Sequence, residues 1–217
     1  MPSSVDLVNL ALDRLGQQPI SSLSQTTGNG PLALSTYDHE RRTLLNETHW
    51  TFARSEITLD LLSTNNWQNW SFAYSYPPDC IRIHYIMNPN LVQSYIGYPY
   101  NPAIENFFCR NCPHDVTQAL DQNGNQTGQK VILTNMEDAI LVYTKDTTDI
   151  ALFPEPFQDV LILKMAKSFC HKLLPNSPIL SDIKQELAMV SSMAKGTSSN
   201  ESVEHEALES DFQRCRI

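Results

Sequence analysis

Residues 46–59 read NETHWTFARSEITL. Up to His49 the apolar residues recur at helical spacing. From Ile57 they alternate with polar ones, through Leu59 to Leu61. The period changes from 3.6 to 2 within ten residues, so a helix hands over to a strand here. Two large aromatics, Trp50 and Phe52, stand at the handover. An active site or a packing hinge would each explain them. Buried aromatics contribute large contact area and fix the angle between elements, so the pair is expected to be a structural hinge.

Upstream, Ser3 and Asp6 have capping-box spacing, and Val5, Val8, Leu12 and Leu15 follow at helical intervals. A first helix over 4–15 is expected, ended by Gly16 in the left-handed conformation. A polar loop, 21–30, leads to Pro31, which suits the first turn of a second helix over 31–48. Leu34, Tyr37, Arg41, Leu44 and Leu45 mark one face of it, with the Glu40–Arg41–Arg42 run on its wetter side. Downstream, strands are expected at 52–61, 71–76, 80–87, 92–97, 104–109, 130–134 and 139–145. Asn123-Gly124 is a hairpin signal. After Pro154 the helical period returns over 155–174, with an apolar face wide enough to demand burial. A fourth helix is expected over 178–195. The rest, 196–217, is polar first and ends in Phe212, Arg214, Arg216 and Ile217.

These elements predict an α+β protein: a helical bundle of two N-terminal and two C-terminal helices, interrupted by a β-rich insertion, with an extended C-terminal tail. The divisions are 1–50, 51–150, 151–195 and 196–217. A chain of 217 residues with 41% hydrophobic residues can bury a core without staples. Its formal charge of −9 disfavours a surface built to grip phosphate backbones. No apolar run nears the ~20 residues that span a bilayer, and the N-terminus lacks a secretory pattern. Five cysteines, an odd number, fit free thiols in a reducing compartment.

Catalytic signatures are sparse. In CRNCPH, Cys109, Cys112 and His114 could supply three zinc ligands, but no fourth follows at the usual spacing. Loosely packed thiols are the better expectation. Glu40, Glu47, Glu56 and Asp60 cluster in sequence around the helix–strand junction, as paired carboxylates for glycoside hydrolysis would. A solvated face is the simpler reading. No G-x-S-x-G elbow, P-loop or dinucleotide fingerprint is present. His171 is expected to be an interior or boundary histidine. Arg41, Arg42 and Arg54 could form a local basic spot. No catalytic, cofactor-binding or metal residue is assigned.

The chain resembles the head-to-tail adaptors of short-tailed bacteriophages, the tail tubular protein A and tail accessory adaptor group. The family's L-G-x-x-P-I/V-x-S/T-L pattern is met by Leu15, Gly16, Pro19, Ile20, Ser22 and Leu23. Its W-x-F segment is met by Trp50, Thr51 and Phe52, followed by Ala53. A Y-x-x-P-x-D-C-I/L-R segment matches Tyr74 to Arg82 with one extra residue, Tyr76 offering a shorter alignment. Tyr143-Thr144-Lys145-Asp146 and Asp149-Ile150-Ala151-Leu152-Phe153 resemble the approach to the family's long third helix. The likeness spans most of 5–195.

The resemblance implies a structural connector in the virion, made in the host cytoplasm, with no enzyme activity, cofactor or membrane. It implies a homo-oligomeric ring, of about twelve subunits, between the portal protein and the tail nozzle protein. The helices would form the ring, and 51–150 would face the nozzle, with loops in 88–103 as the contact. A neighbouring subunit would cover part of the third helix. The tail would dock on the portal through Phe212, Arg214, Arg216 and Ile217. DNA would pass without specific binding, some of the 24 acids lining its channel. A tail-associated peptidoglycan hydrolase is the alternative.

Overall fold

A computed structural model describes residues 2–62, 67–87, 112–121, 123–175 and 177–201. The strands expected at 92–97 and 104–109, the loops in 88–103, and Phe212, Arg214, Arg216 and Ile217 lie outside these residues. Among the described residues the fold is α+β, with four helices and two three-stranded sheets. It divides into two units: a helical one, Met1–Arg54 with Asp146–Val203, and a β unit whose described residues fall within Ser55–Lys145.

In the helical unit, α1 (Ser4–Asp13) starts at the expected capping box. The Ser3 hydroxyl accepts the Asp6 N–H at 3.2 Å, and Asp6 Oδ2 accepts the Ser3 N–H at 2.8 Å. Gly16 ends it at φ +62°, where the Gln17 N–H reaches the Leu12 carbonyl and the Gly16 N–H that of Asp13. The chain is then clamped back: Asn9 Oδ1 accepts the Ile20 N–H at 2.8 Å, and Asn9 Nδ2 donates to the Ile20 carbonyl at 3.0 Å.

Helix α2 (Gly30–Glu47) buries Ala33, Thr36, Tyr37, Glu40, Arg41, Leu44 and Leu45. Gly30 is required by a close approach, since a Cβ there would lie 2.1 Å from the Gln25 carbonyl oxygen. Two expectations are corrected. Leu34 is exposed, and Glu40 and Arg41 are not on a wet side but buried. The buried stripe keeps helical spacing, with polar members admitted where partners wait.

Helix α3 (Glu155–Leu173) buries ten residues, from Phe157 to Cys170, including Lys164. It packs on α1, α2 and α4 (Ile179–Glu201), so its apolar face is covered within the chain. His171 is exposed rather than interior. Helix α4 does not stop at 195. It runs through Gly196, at a helix-propensity cost of about 1 kcal/mol relative to Ala, to Glu201. Ser198, buried, accepts the Thr51 N–H at 3.3 Å and donates to the His49 carbonyl at 3.3 Å. Thr51 Oγ1 donates to the Ser198 carbonyl at 3.0 Å. These bonds hold the extra turn, so residues 196–201 are not extended tail.

The β unit contains β1 (Arg54–Thr58), β2 (Phe72–Ser75), β3 (Cys80–Met87), β4 (His114–Leu120), β5 (Gln126–Thr134) and β6 (Ile140–Lys145). The sheet orders are β1-β6-β3 and β2-β5-β4. β3–β6, β2–β5 and β4–β5 pair antiparallel. The expected strand 52–61 is broken. A 3-10 turn covers Thr51–Ala53, and β1 ends at Thr58. The Leu59 N–H then donates to the Ala139 carbonyl, and that of Leu62 to Ala73, so one segment serves both sheets. Because the chain turns this corner, Leu59 is buried while Ile57 and Leu61 are exposed. The core between the sheets includes Leu59, Tyr74, Ile86, Cys112, Ile132, Leu141 and Tyr143. Asn123-Gly124 lies in the β4–β5 hairpin, where Gly124 has φ +81° and Asp121 Oδ1 accepts the N–H groups of Asn123 and Asn125. Strand β4 was not foreseen, its residues being too polar to show a two-residue period.

The Asp6 carboxyl is held below its ordinary range, first by the Ser3 N–H and then by the Ser3 hydroxyl. A depressed folded value stabilises above the unfolded value and is lost as pH falls through the folded one. Amide exchange at residues 4–7 should therefore speed up as pH drops into the acid range, after correction for the intrinsic rate. Asp6→Ala should abolish that pH dependence; if it persists in the variant, the capping box is not its source.

Candidate functional site

The chain leaves the helical unit at Arg54 and returns at Asp146. Each crossing point is fastened within the helical unit. At the exit, Trp50 is 2% exposed, and its Nε1 donates to the Leu44 carbonyl at 2.9 Å. That carbonyl is one of the last in α2, which the helix cannot itself satisfy. The Trp50 ring meets Phe157 edge-on, with centroids 5.0 Å apart. Phe52 stands 4.9 Å from Phe157 and 5.7 Å from Phe153. The two residues expected at the hinge are thus brought together, with Phe153 and Phe157 added. Phe153 and Phe157 were missed, although F-P-E-P-F repeats aromatic residues at helical spacing.

At the return, the Arg41 guanidinium is buried. It donates to Asp146 Oδ1 and, at 2.7 Å, to the Thr147 carbonyl. Arg42 Nε lies 3.5 Å from the other Asp146 oxygen. Arg41 is therefore occupied inside the unit and cannot contribute to a surface basic spot with Arg42 and exposed Arg54.

The candidate carboxylates have separate duties. Glu40 accepts a hydrogen bond from the Ser168 hydroxyl, and Glu47 pairs with Lys164 Nζ at 2.6 Å. Glu56 and Asp60 line a depression of about 470 Å³ in the β unit, beside Tyr76, Asp79, Tyr143 and Lys145. There Asp79, not foreseen as a site residue, accepts the Tyr143 hydroxyl at 3.2 Å and lies 3.6 Å from Lys145 Nζ. Burial raises the Tyr76 and Tyr143 phenols and the Cys80 thiol above their ordinary values, so all three keep their protons at neutral pH. Cys112 is buried in the β core and His114 Nδ1 lies 3.1 Å from its carbonyl oxygen. Cys109, their proposed co-ligand, lies outside the described residues. Among those residues no three His, Cys, Asp or Glu side chains gather as metal ligands.

No known family model matches the chain, and no curated protein sequence matches it significantly. Among the described residues, no helix is long and apolar enough to cross a membrane.

Two pairs of the quoted segments bind one another. The W-x-F segment packs on Phe153, Asp79 of the Tyr74–Arg82 segment holds Tyr143 and Lys145, and Asp149 caps the turn leading to Phe153, accepting the Ala151 N–H at 3.0 Å. The chemistry this arrangement supplies is cross-linking of distant segments.

Trp50→Ala should lower stability by about 3–5 kcal/mol, the usual cost of deleting a buried aromatic. Urea denaturation reads this directly; a wild-type midpoint would remove Trp50 from the anchor. Removing one partner of a buried ion pair costs about 3–5 kcal/mol, and partial exposure of Asp146 puts Asp146→Ala at the lower end. Arg41→Met and Asp146→Ala should be strongly non-additive in a double-mutant cycle, whereas additive losses would mean that the two do not act as one anchor.

Proposed function

We propose that the protein is a head-to-tail adaptor of a short-tailed phage, forming an oligomeric ring between portal and nozzle and lining the DNA channel. The observation that carries this reading is the mutual bonding of the motif segments. Residues that make the chain resemble the adaptor group are spent on holding the chain's own crossing points and sheets. That use suits a part whose task is to keep a shape under load.

In this reading the helices of both chain ends form the ring, and residues 51–150 are an insertion reaching the nozzle. Trp50 and Phe52 set the direction in which that insertion leaves. Met189 and Met193, one turn apart on α4 and 62% and 67% exposed, supply an adaptable apolar contact between subunits. The residues after Glu201 dock on the portal through Phe212, Arg214, Arg216 and Ile217. The net charge of −9 keeps DNA moving through the ring. The separate engagement of Glu40 with Ser168 and of Glu47 with Lys164 gives the hydrolase alternative no support from those two residues.

Because Ser198 belongs to the helical unit, the informative truncation is after Glu201, not after Lys195. The full chain should co-sediment stoichiometrically with the portal ring of its phage, and the truncated chain should remain in the supernatant. Failure of both to bind would overturn the adaptor reading, and digestion of purified cell wall would then test the hydrolase.

A further inference from the structure

Four of the chain's seven lysines line one groove in the helical unit; the other three are Lys130, Lys145 and Lys172. The groove measures about 540 Å³ and runs between α3 and α4. Lys164 and Lys167 stand on one wall, Lys184 and Lys195 on the other, with Leu187, Ala188, Ser191 and Ser192 along α4. Its one acid, Glu47, is engaged by Lys164. The lining therefore carries four positive charges and one negative, a net +3, in a chain of formal charge −9. Among the described residues, neither Lys167 nor Lys184 has a carboxylate within ion-pair distance. Concentrating cations in a concave surface raises the local potential above that of isolated surface lysines.

The complementary charge is in the same chain. Glu201, Glu204, Glu206, Glu209 and Asp211 fall within eleven residues that contain no lysine or arginine. We propose that this acidic segment, 201–211, folds back along the groove of its own chain.

The lengths agree. From Lys195 to Lys184 is eleven helical residues, about 16 Å at the α-helical rise. Helix α4 continues six residues past Lys195 to Glu201, about 9 Å more. An extended strand returning from Glu201 advances about 3.3 Å per residue. Glu204 is then level with Lys195 after about 10 Å, and Glu209 with Lys184 after about 26 Å. Where the reversal itself takes about 7 Å, Glu206 and Asp211 stand level with the same two lysines instead. The contact is electrostatic and open to water, so it loosens as the Debye length shrinks from about 8 Å at physiological salt to about 3 Å at 1 M. This stows the end of the chain in the free protein and frees it for a competing partner. The inference does not depend on the adaptor reading.

Limited chymotrypsin digestion of the full chain, followed by mass spectrometry, tests it at Leu208 and Phe212. When opening is fast, cleavage tracks the population of the undocked segment, and loss of the contact should raise it by about tenfold. K167E/K184E should show this increase at low salt, and K184E alone, at an exposed position, a smaller one with unchanged helix content. Adding E204K and E209K to the double variant should return the rate toward the parental value. Equal rates in the parental chain and K167E/K184E would overturn the proposal and leave the groove a solvated lysine face. Protection that rises with protein concentration would also overturn it, placing the segment on another copy.

Discussion

One ring organises the helical unit. Trp50 satisfies a terminal carbonyl of α2 with its indole N–H and packs at a right angle to the Phe157 ring. A helix end buried without such a partner would be costly. The same side chain thus ends α2, packs on α3 and directs the chain into Thr51–Ala53 and β1. Ser198 closes the arrangement from α4 through Thr51 and His49. Three helices depend on a five-residue segment, 49–53.

Charges inside the unit follow the same logic. Glu40, Arg41 and Lys164 are buried, which is affordable only where each meets a partner. Ser168 meets Glu40, Asp146 and the Thr147 carbonyl meet Arg41, and Glu47 meets Lys164. Each bond joins α2 to a residue more than a hundred positions later. They specify which segments are neighbours of α2, where apolar packing alone would accept several arrangements.

Much of the fold was legible where period and caps agree. Ser3, Asp6 and Gly16 bracket α1, Pro31 opens α2, and the 80–87 alternation is β3 to the residue. Trp50 and Phe52 were recognisable as packing residues because they sit at a change of period. What stayed hidden depends on tertiary partners. Nothing local marks Glu40 and Arg41 as buried, since their partners are Ser168 and Asp146. Gly196 reads as a helix stop, and the opposing force comes from Thr51, far away in sequence. Strand β4 has five polar or small residues in seven and is recruited by β5 rather than by its own pattern. Asp79 was invisible as an anchor until Tyr143 and Lys145 stood beside it.

The Ser198 contact also has a mechanical side. It lies three residues before the end of α4, on the only covalent path to residues 202–217. Tension applied from that end reaches Ser198 before it reaches the body of α4. The bonds to Thr51 and His49 then bear it, next to the point where β1 begins. A tug on the chain terminus is thereby delivered to the residue pair Trp50 and Phe52, rather than spread along the helix.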